Sequence, residues 1–172
     1  MALREVLDEV RRLEFDGIVA RYAIGGAVGA TIYLEPSATF DVDIFVVFKG
    51  EHDAKLITLA PIYEYLRTHG AVIEGEHIRI GEWPVQFLPA SNELLKEAMK
   101  EAVDVVVDGI ATRVFSAEHL AAIALQTGRA KDKSRVLQFV ESGVIDSVRF
   151  ASIVSRHGLD AKWERFTAQF LS

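Results

Sequence analysis

Leu3, Val6, Leu7, Val10 and Leu13 recur at helical spacing with charged residues between them, so the chain opens on an amphipathic helix. Residues 18–24 then read as a strand, which Gly25-Gly26 ends, and a short apolar helix is expected over residues 27–33. A loop at residues 35–38 leads into a strongly apolar strand over residues 41–48. A polar break follows at residues 49–53. Pro61 is suited to the first turn of a helix, where its missing N–H costs nothing, and Gly70 is placed to end that helix.

Val72-Ile73 and residues 77–80 predict short strands, and Gly81-Glu82 turns the latter into a hairpin partner at residues 85–88. Asn92 is a candidate cap for a helix reaching about Ala102. Residues 105–107 and 110–115 flank Asp108-Gly109, the strongest hairpin signal in the chain. Everything after Phe115 carries helical periodicity. Ser116 caps residues 117–127, with Gly128 at the end, and Asp132 caps a helix to about Ser142, closed by Gly143. Asp146 or Ser147 starts another helix ending near Gly158, and Asp160 caps the last, through Phe170. Phe150, Ile153, Val154, Trp163, Phe166 and Phe170 read as packing groups of these helices. The expected fold class is α+β: a mixed β-sheet flanked by helices over residues 1–115, then a C-terminal helical segment over residues 116–172. The two form either separate units or one continuous domain.

At 172 residues, half of them apolar, the chain can bury a real core. Its net charge of -6 argues against broad nucleic-acid binding, though not against a local basic patch facing a nucleotide. The absence of cysteine excludes disulfides, thiol catalysis and cysteine metal sites. No apolar run is long enough for a membrane span, and the first residues begin a charged helix rather than a secretory signal, so a cytoplasmic protein is expected.

The chemistry concentrates in Gly25-Gly26 and in Asp41-x-Asp43. Residues two apart on a strand point to one side, so the two carboxylates leave the same face, where they repel each other unless a cation lies between them. A strand, a glycine pair and a helix start also place backbone N–H groups where phosphate oxygens can be received. The five histidines show no zinc spacing, and neither a Walker A lysine nor a Gly-x-Ser-x-Gly elbow occurs.

Gly25-Gly26, a helix and then Thr39-x-Asp41-x-Asp43 at a strand start resemble the nucleotidyltransferase superfamily that includes DNA polymerase beta-like enzymes. The chain looks most like its small bacterial members related to abortive-infection and toxin–antitoxin nucleotidyltransferases. Residues 128–132, Gly-Arg-Ala-Lys-Asp after an apolar helix, are similar to a second segment of those proteins. The resemblance implies a nucleotidyltransferase-like sheet and transfer of a nucleotide from an NTP to a hydroxyl on RNA, protein or a small molecule. It also implies Mg2+ (or Mn2+) held by Asp41 and Asp43 as the catalytic acids. Gly25, Gly26, Thr39, Gln86, Arg129 and Lys131 are the nucleotide-binding positions it implies.

Two positions depart from the pattern. Where the superfamily supplies a third carboxylate from a neighbouring strand, this chain has Gln86, which carries no charge and cannot act as a base at neutral pH. Glu82, Asp104 and Asp108 are the other candidates for that acid. Where many relatives carry a lysine, this chain has Ala124. The alternative expectation is therefore a catalytically weak or inactive module that binds nucleotide, a protein partner or a second copy, as in one half of a toxin–antitoxin pair.

Overall fold

A computed structural model describes residues 3–36, 38, 41–50 and 58–172. The amphipathic stretch forms α1 (Arg4–Phe15), which buries Val6, Leu7, Val10 and Leu13 completely. The N–H groups of Ile18 and Val19 turn back to the Leu13 carbonyl, at 2.9 and 3.2 Å, and so satisfy the end of α1. For that reason β1 (Arg21–Ile24) begins three residues later than residue 18. The next helix, α2 (Gly26–Ala30), is shorter than expected: Thr31 folds its hydroxyl back onto the Val28 carbonyl and the chain leaves as a turn.

The apolar run becomes β2 (Val42–Val47), and α3 (Ala60–Thr68) carries Pro61 in its first turn. Three strands follow, β3 (Val72–Glu74), β4 (His77–Ile80) and β5 (Trp83–Pro89), and then α4 (Glu93–Lys100), whose first turn is capped by the Asn92 side chain accepting from the Leu95 N–H at 2.8 Å. The Asp108-Gly109 hairpin joins β6 (Val103–Val107) to β7 (Ile110–Val114). Both turn residues have positive φ, 50° and 78°, as a tight two-residue hairpin of this kind requires. The helical tail is α5 (Ala117–Thr127), α6 (Ala130–Ser142), α7 (Ser147–Arg156) and α8 (Asp160–Phe170). Asp160 is the first residue of α8 rather than its cap.

The seven strands form one mixed sheet in the order β3-β4-β5-β2-β1-β7-β6. Strand β2 lies at its centre, antiparallel to β1 and parallel to β5. Alternation divides the core in two. Val42, Ile44, Val46, Val85, Phe87, Ile78 and Ile80 point to one side, under α1 and α3. Phe45 and Leu88 point to the other, where they meet α4, α5 and the tail helices around Phe115, Phe139 and Phe150. The Phe45 and Phe115 rings meet with their centroids 4.9 Å apart, tilted by 41°. No helix among the described residues is long and apolar enough to cross a membrane.

The same alternation places the candidate site. Asp41 and Asp43 have the parity of Phe45, Gln86 that of Leu88, and His77 stands out of phase with Ile78 and Ile80. All four therefore lie on the sheet face that the helical tail covers, one or two residues beyond the apolar layer.

Candidate active site

Asp43 lies within β2 and Asp41 immediately precedes it, so both carboxylates leave one face as the spacing requires. The glycine pair is fitted against them. Gly25 donates its N–H to the Asp43 carbonyl at 3.0 Å, which continues the β1–β2 ladder to the start of α2. A methyl group on Gly25 would come within 2.5 Å of the Phe45 ring. At Gly26 the restriction is tighter. Its φ is +57°, and a Cβ there would stand 2.0 Å from the Asp43 Oδ2. Glycine is needed both for the backbone and for the space that the carboxylate occupies. With only five residues, α2 supplies the free backbone N–H groups of its first turn rather than a sizeable dipole.

Burial pushes the Asp43 carboxyl up to about 6, and the neighbouring Asp41 pushes in the same direction. Lys131, Arg135 and Arg129 oppose the rise. All three belong to the Gly128 turn and the first turns of α6, so the structure brings that basic segment to the two acids. Asp132 orders it. Almost fully buried, at 1% exposure, Asp132 accepts hydrogen bonds from the Arg129 N–H at 3.2 Å and from its Nε at 2.7 Å. The Arg135 guanidinium stands 3.6 Å from the other oxygen of the same carboxylate. Asp132 is thus the third residue of α6, closing its first turn, and not the residue before the helix.

Gln86 lies directly beside Asp43 in the β2–β5 register. Thr39 lies outside the described residues. Of the other acids considered, Asp104 sits on β6, at the far edge of the sheet. Asp108 is in the β6–β7 turn and accepts from the Leu3 N–H. Both are separated from β2 by β1 and β7 and do not reach the pair. Glu82 is exposed in the β4–β5 turn. Ala124 is buried in the core of α5.

Two side chains that the sequence reading passed over join the site. His77 places Nε2 3.2 Å from Asp41 Oδ2. Arg135 follows Lys131 by one helical turn, and that i, i+4 spacing was the signal available for it. The signal for His77 was the hairpin: Ile78 pairs with Val85, so one step further His77 falls beside Gln86.

A second group deserves comparison. Glu97, Glu101 and His119 bring their polar atoms within 4.8 Å of one another, the one such trio of possible metal ligands among the described residues. Its charges are already met. Arg156 and His157 bind Glu97 at 2.7 and 3.0 Å, and Arg149 binds Glu101 at 2.9 Å. This trio latches α4 to α5 and α7. Two clefts, of about 330 Å³ beside α1, α3 and β4 and about 300 Å³ between α5, α6 and α8, are lined by neither Asp41 nor Asp43.

No family model matches the chain, and no curated protein matches it either. Solved structures do. The solution structure of the antibiotic-resistance factor ANT(2'')-Ia superposes with a TM-score of 0.56 at 14% identity, over 96% of this chain and 94% of that one. The crystal structure of ANT(2")-Ia in complex with adenylyl-2"-tobramycin gives 0.50 at 16% identity, over 88% and 96%. An antigenic nucleotidyltransferase-like protein from Paracoccidioides brasiliensis gives 0.50 at 12%, over 91% and 88%. The fold is that of the nucleotidyltransferases.

Proposed function

We propose that the protein is a metal-dependent nucleotidyltransferase that moves a nucleotide from an NTP to a hydroxyl acceptor. The observation that carries this reading is the meeting of three features. Asp41 and Asp43 share one face, Gly26 is shaped around the Asp43 carboxylate, and Lys131, Arg135 and Arg129 oppose the two acids from α6. A divalent ion suits this donor set. Two carboxylates are what Mg2+ takes from a protein when phosphates and waters complete its shell. Asp41 and Asp43 would hold Mg2+ or Mn2+, which when bound neutralises charge on the triphosphate and on the departing pyrophosphate.

The chain's own groups do the rest. The amides at the start of α2, after the Gly25 N–H taken by Asp43, shape the phosphate site, and Thr39 is a further nucleotide-binding residue of this reading. Arg129, Lys131 and Arg135 neutralise phosphate, and Asp132 holds both arginines in place. Gln86 stands where a third acid would be, beside Asp43, and offers only a neutral oxygen or N–H. The adenylylated tobramycin bound by ANT(2")-Ia supports a hydroxyl of a small molecule as acceptor, ahead of RNA or protein. A cytoplasmic setting suits an enzyme that consumes NTP.

The test is label transfer from radiolabelled NTP to a panel of hydroxyl acceptors. Asp41→Asn and Asp43→Asn abolish it while the fold, followed by circular dichroism, survives. Full transfer by both variants refutes the assignment. Gln86 and Ala124 favour a second reading, a module that binds nucleotide or a protein partner without turnover, as in a toxin–antitoxin pair. Calorimetry showing NTP and Mg2+ bound without transfer to any acceptor would select it.

A further inference from the structure

The row of positions across the sheet in front of the helical tail runs Gly25, just past β1, then Asp43, Gln86 and His77 on β2, β5 and β4. In this row the position beside Asp43 carries no acid, and the next one outward carries an imidazole. His77 does not point away. Its Nε2 is 3.2 Å from the Asp41 Oδ2, and both side chains are about one-third exposed, 33% and 37%. That separation has a second meaning. Two donors that each stand about 2.1 Å from one ion, at right angles, are themselves about 3 Å apart. The pair His77 and Asp41 is therefore spaced as two adjacent corners of one octahedron. Asp43 does not complete a compact trio with them. For Asp43 to share the ion with them, its carboxylate must swing toward the pair when the ion binds, because two donors at about 2.1 Å from one ion stand no more than about 4.2 Å apart.

We infer that His77 is a ligand of the divalent ion at this site, one nitrogen donor standing in for the acid that Gln86 lacks. The inference rests on the nucleotidyltransferase reading and sharpens its metal chemistry. An all-oxygen set suits Mg2+, whereas imidazole suits the first-row transition ions far better. A site with one imidazole ranks Mn2+ and Co2+ above Mg2+. The donor set then favours a first-row transition ion over Mg2+, and Mn2+, the weakest binder of that series, is the most demanding probe of it.

The experiment follows Mn2+ by pulsed electron paramagnetic resonance in the full chain, with a nonhydrolysable α,β-methylene NTP and with histidine labelled in 15N. Directly bound imidazole gives a nitrogen coupling that changes on labelling and vanishes in His77→Gln. Calorimetry on the same variant shows Mn2+ affinity reduced by about tenfold or more, the scale of a lost metal partner, with Mg2+ affinity changed much less. Mn2+ bound at full affinity with no histidine coupling, or with a coupling that persists in His77→Gln, overturns the inference and leaves the transferase reading intact. Absence of any Mn2+ or Mg2+ binding in the presence of the NTP analogue overturns both.

Discussion

Replacing Gly26 by alanine separates two things that glycine does at once. The backbone there sits at φ +57°, which costs an L-residue about 1 kcal/mol. The added methyl also meets the Asp43 Oδ2 at 2.0 Å and its Cγ at 2.8 Å, so the carboxylate must swing aside. Gly143→Ala is the control. Its φ is +72°, and nothing lies within 4 Å of its added Cβ, so it carries the backbone cost alone. Gly143→Ala should lose about 1 kcal/mol, or roughly 2–4 °C in Tm for a chain of this size, with transfer unchanged. Gly26→Ala should lose somewhat more, about 1–3 kcal/mol. Its transfer rate should fall by about a hundredfold, the usual consequence of misplacing a reacting group by about 1 Å. Melting curves and label transfer measured on the same preparations decide the matter. Wild-type transfer by Gly26→Ala would show that Asp43 need not stand where the glycine lets it stand.

The raised Asp43 carboxyl makes a signed prediction. Its folded value, about 6, lies above the ordinary 3.8, so the native state holds the proton more tightly and loses stability as pH rises from about 4 to about 6. Asp43→Asn should remove that penalty and melt higher than wild type at pH 7 without metal, by up to about 3 kcal/mol, while the difference closes at pH 4. An equal Tm for the two proteins at pH 7 would refute it. Arg135→Ala should weaken NTP binding by about tenfold in calorimetry, the usual loss for one charge-assisted contact, with little change in Tm; unchanged affinity would remove Arg135 from the site. Glu97→Gln should lower the Tm. Burial pushes the Glu97 carboxyl up, but bonds from Arg156, His119 and His157 outweigh it and hold the group at about 2. The stability it brings is present above the ordinary 4.5 and is lost as pH falls toward 2, so the variant's deficit should shrink over that interval.

The element order was legible because periodicity and punctuation agreed. The spacing of Leu3 to Leu13, the Asp108-Gly109 turn and the caps at Asn92, Ser116 and Asp146 each carry a local physical signal that tertiary contacts did not override. Boundaries failed where the competition was local but silent in composition. Ile18 and Val19 have strand character, yet their amides are taken by the end of α1. For Asp132, a residue favoured before helices proved equally good inside the first turn, where it faces two arginines. The pair Asp41 and Asp43 could be read from parity alone. His77 could not be read without the pairing of β4 on β5 and of β5 on β2, a relation between segments far apart in the chain.

That distance also explains how a chain of net charge -6 can accommodate the polyphosphate site proposed for it. Charge is sorted by element and not by totals. Asp41 and Asp43 emerge from a strand whose remaining residues are nearly all buried and apolar, so no surface acid dilutes or screens them from that side. The answering cations are gathered on one short segment, Arg129 to Arg135, and the acid within it, Asp132, is turned inward and occupied by two of them. The segment is cationic in sequence, with four basic residues around one acid, and more so outwardly because that acid is buried. Burial of Asp132 matters for direction: a solvated carboxylate would screen the arginines, whereas a buried one fixes where they point. A metal between the acids and a triphosphate between metal and α6 would then meet alternating charge across the whole gap, and the rest of the protein's negative surface would discourage any longer polyanion from settling there.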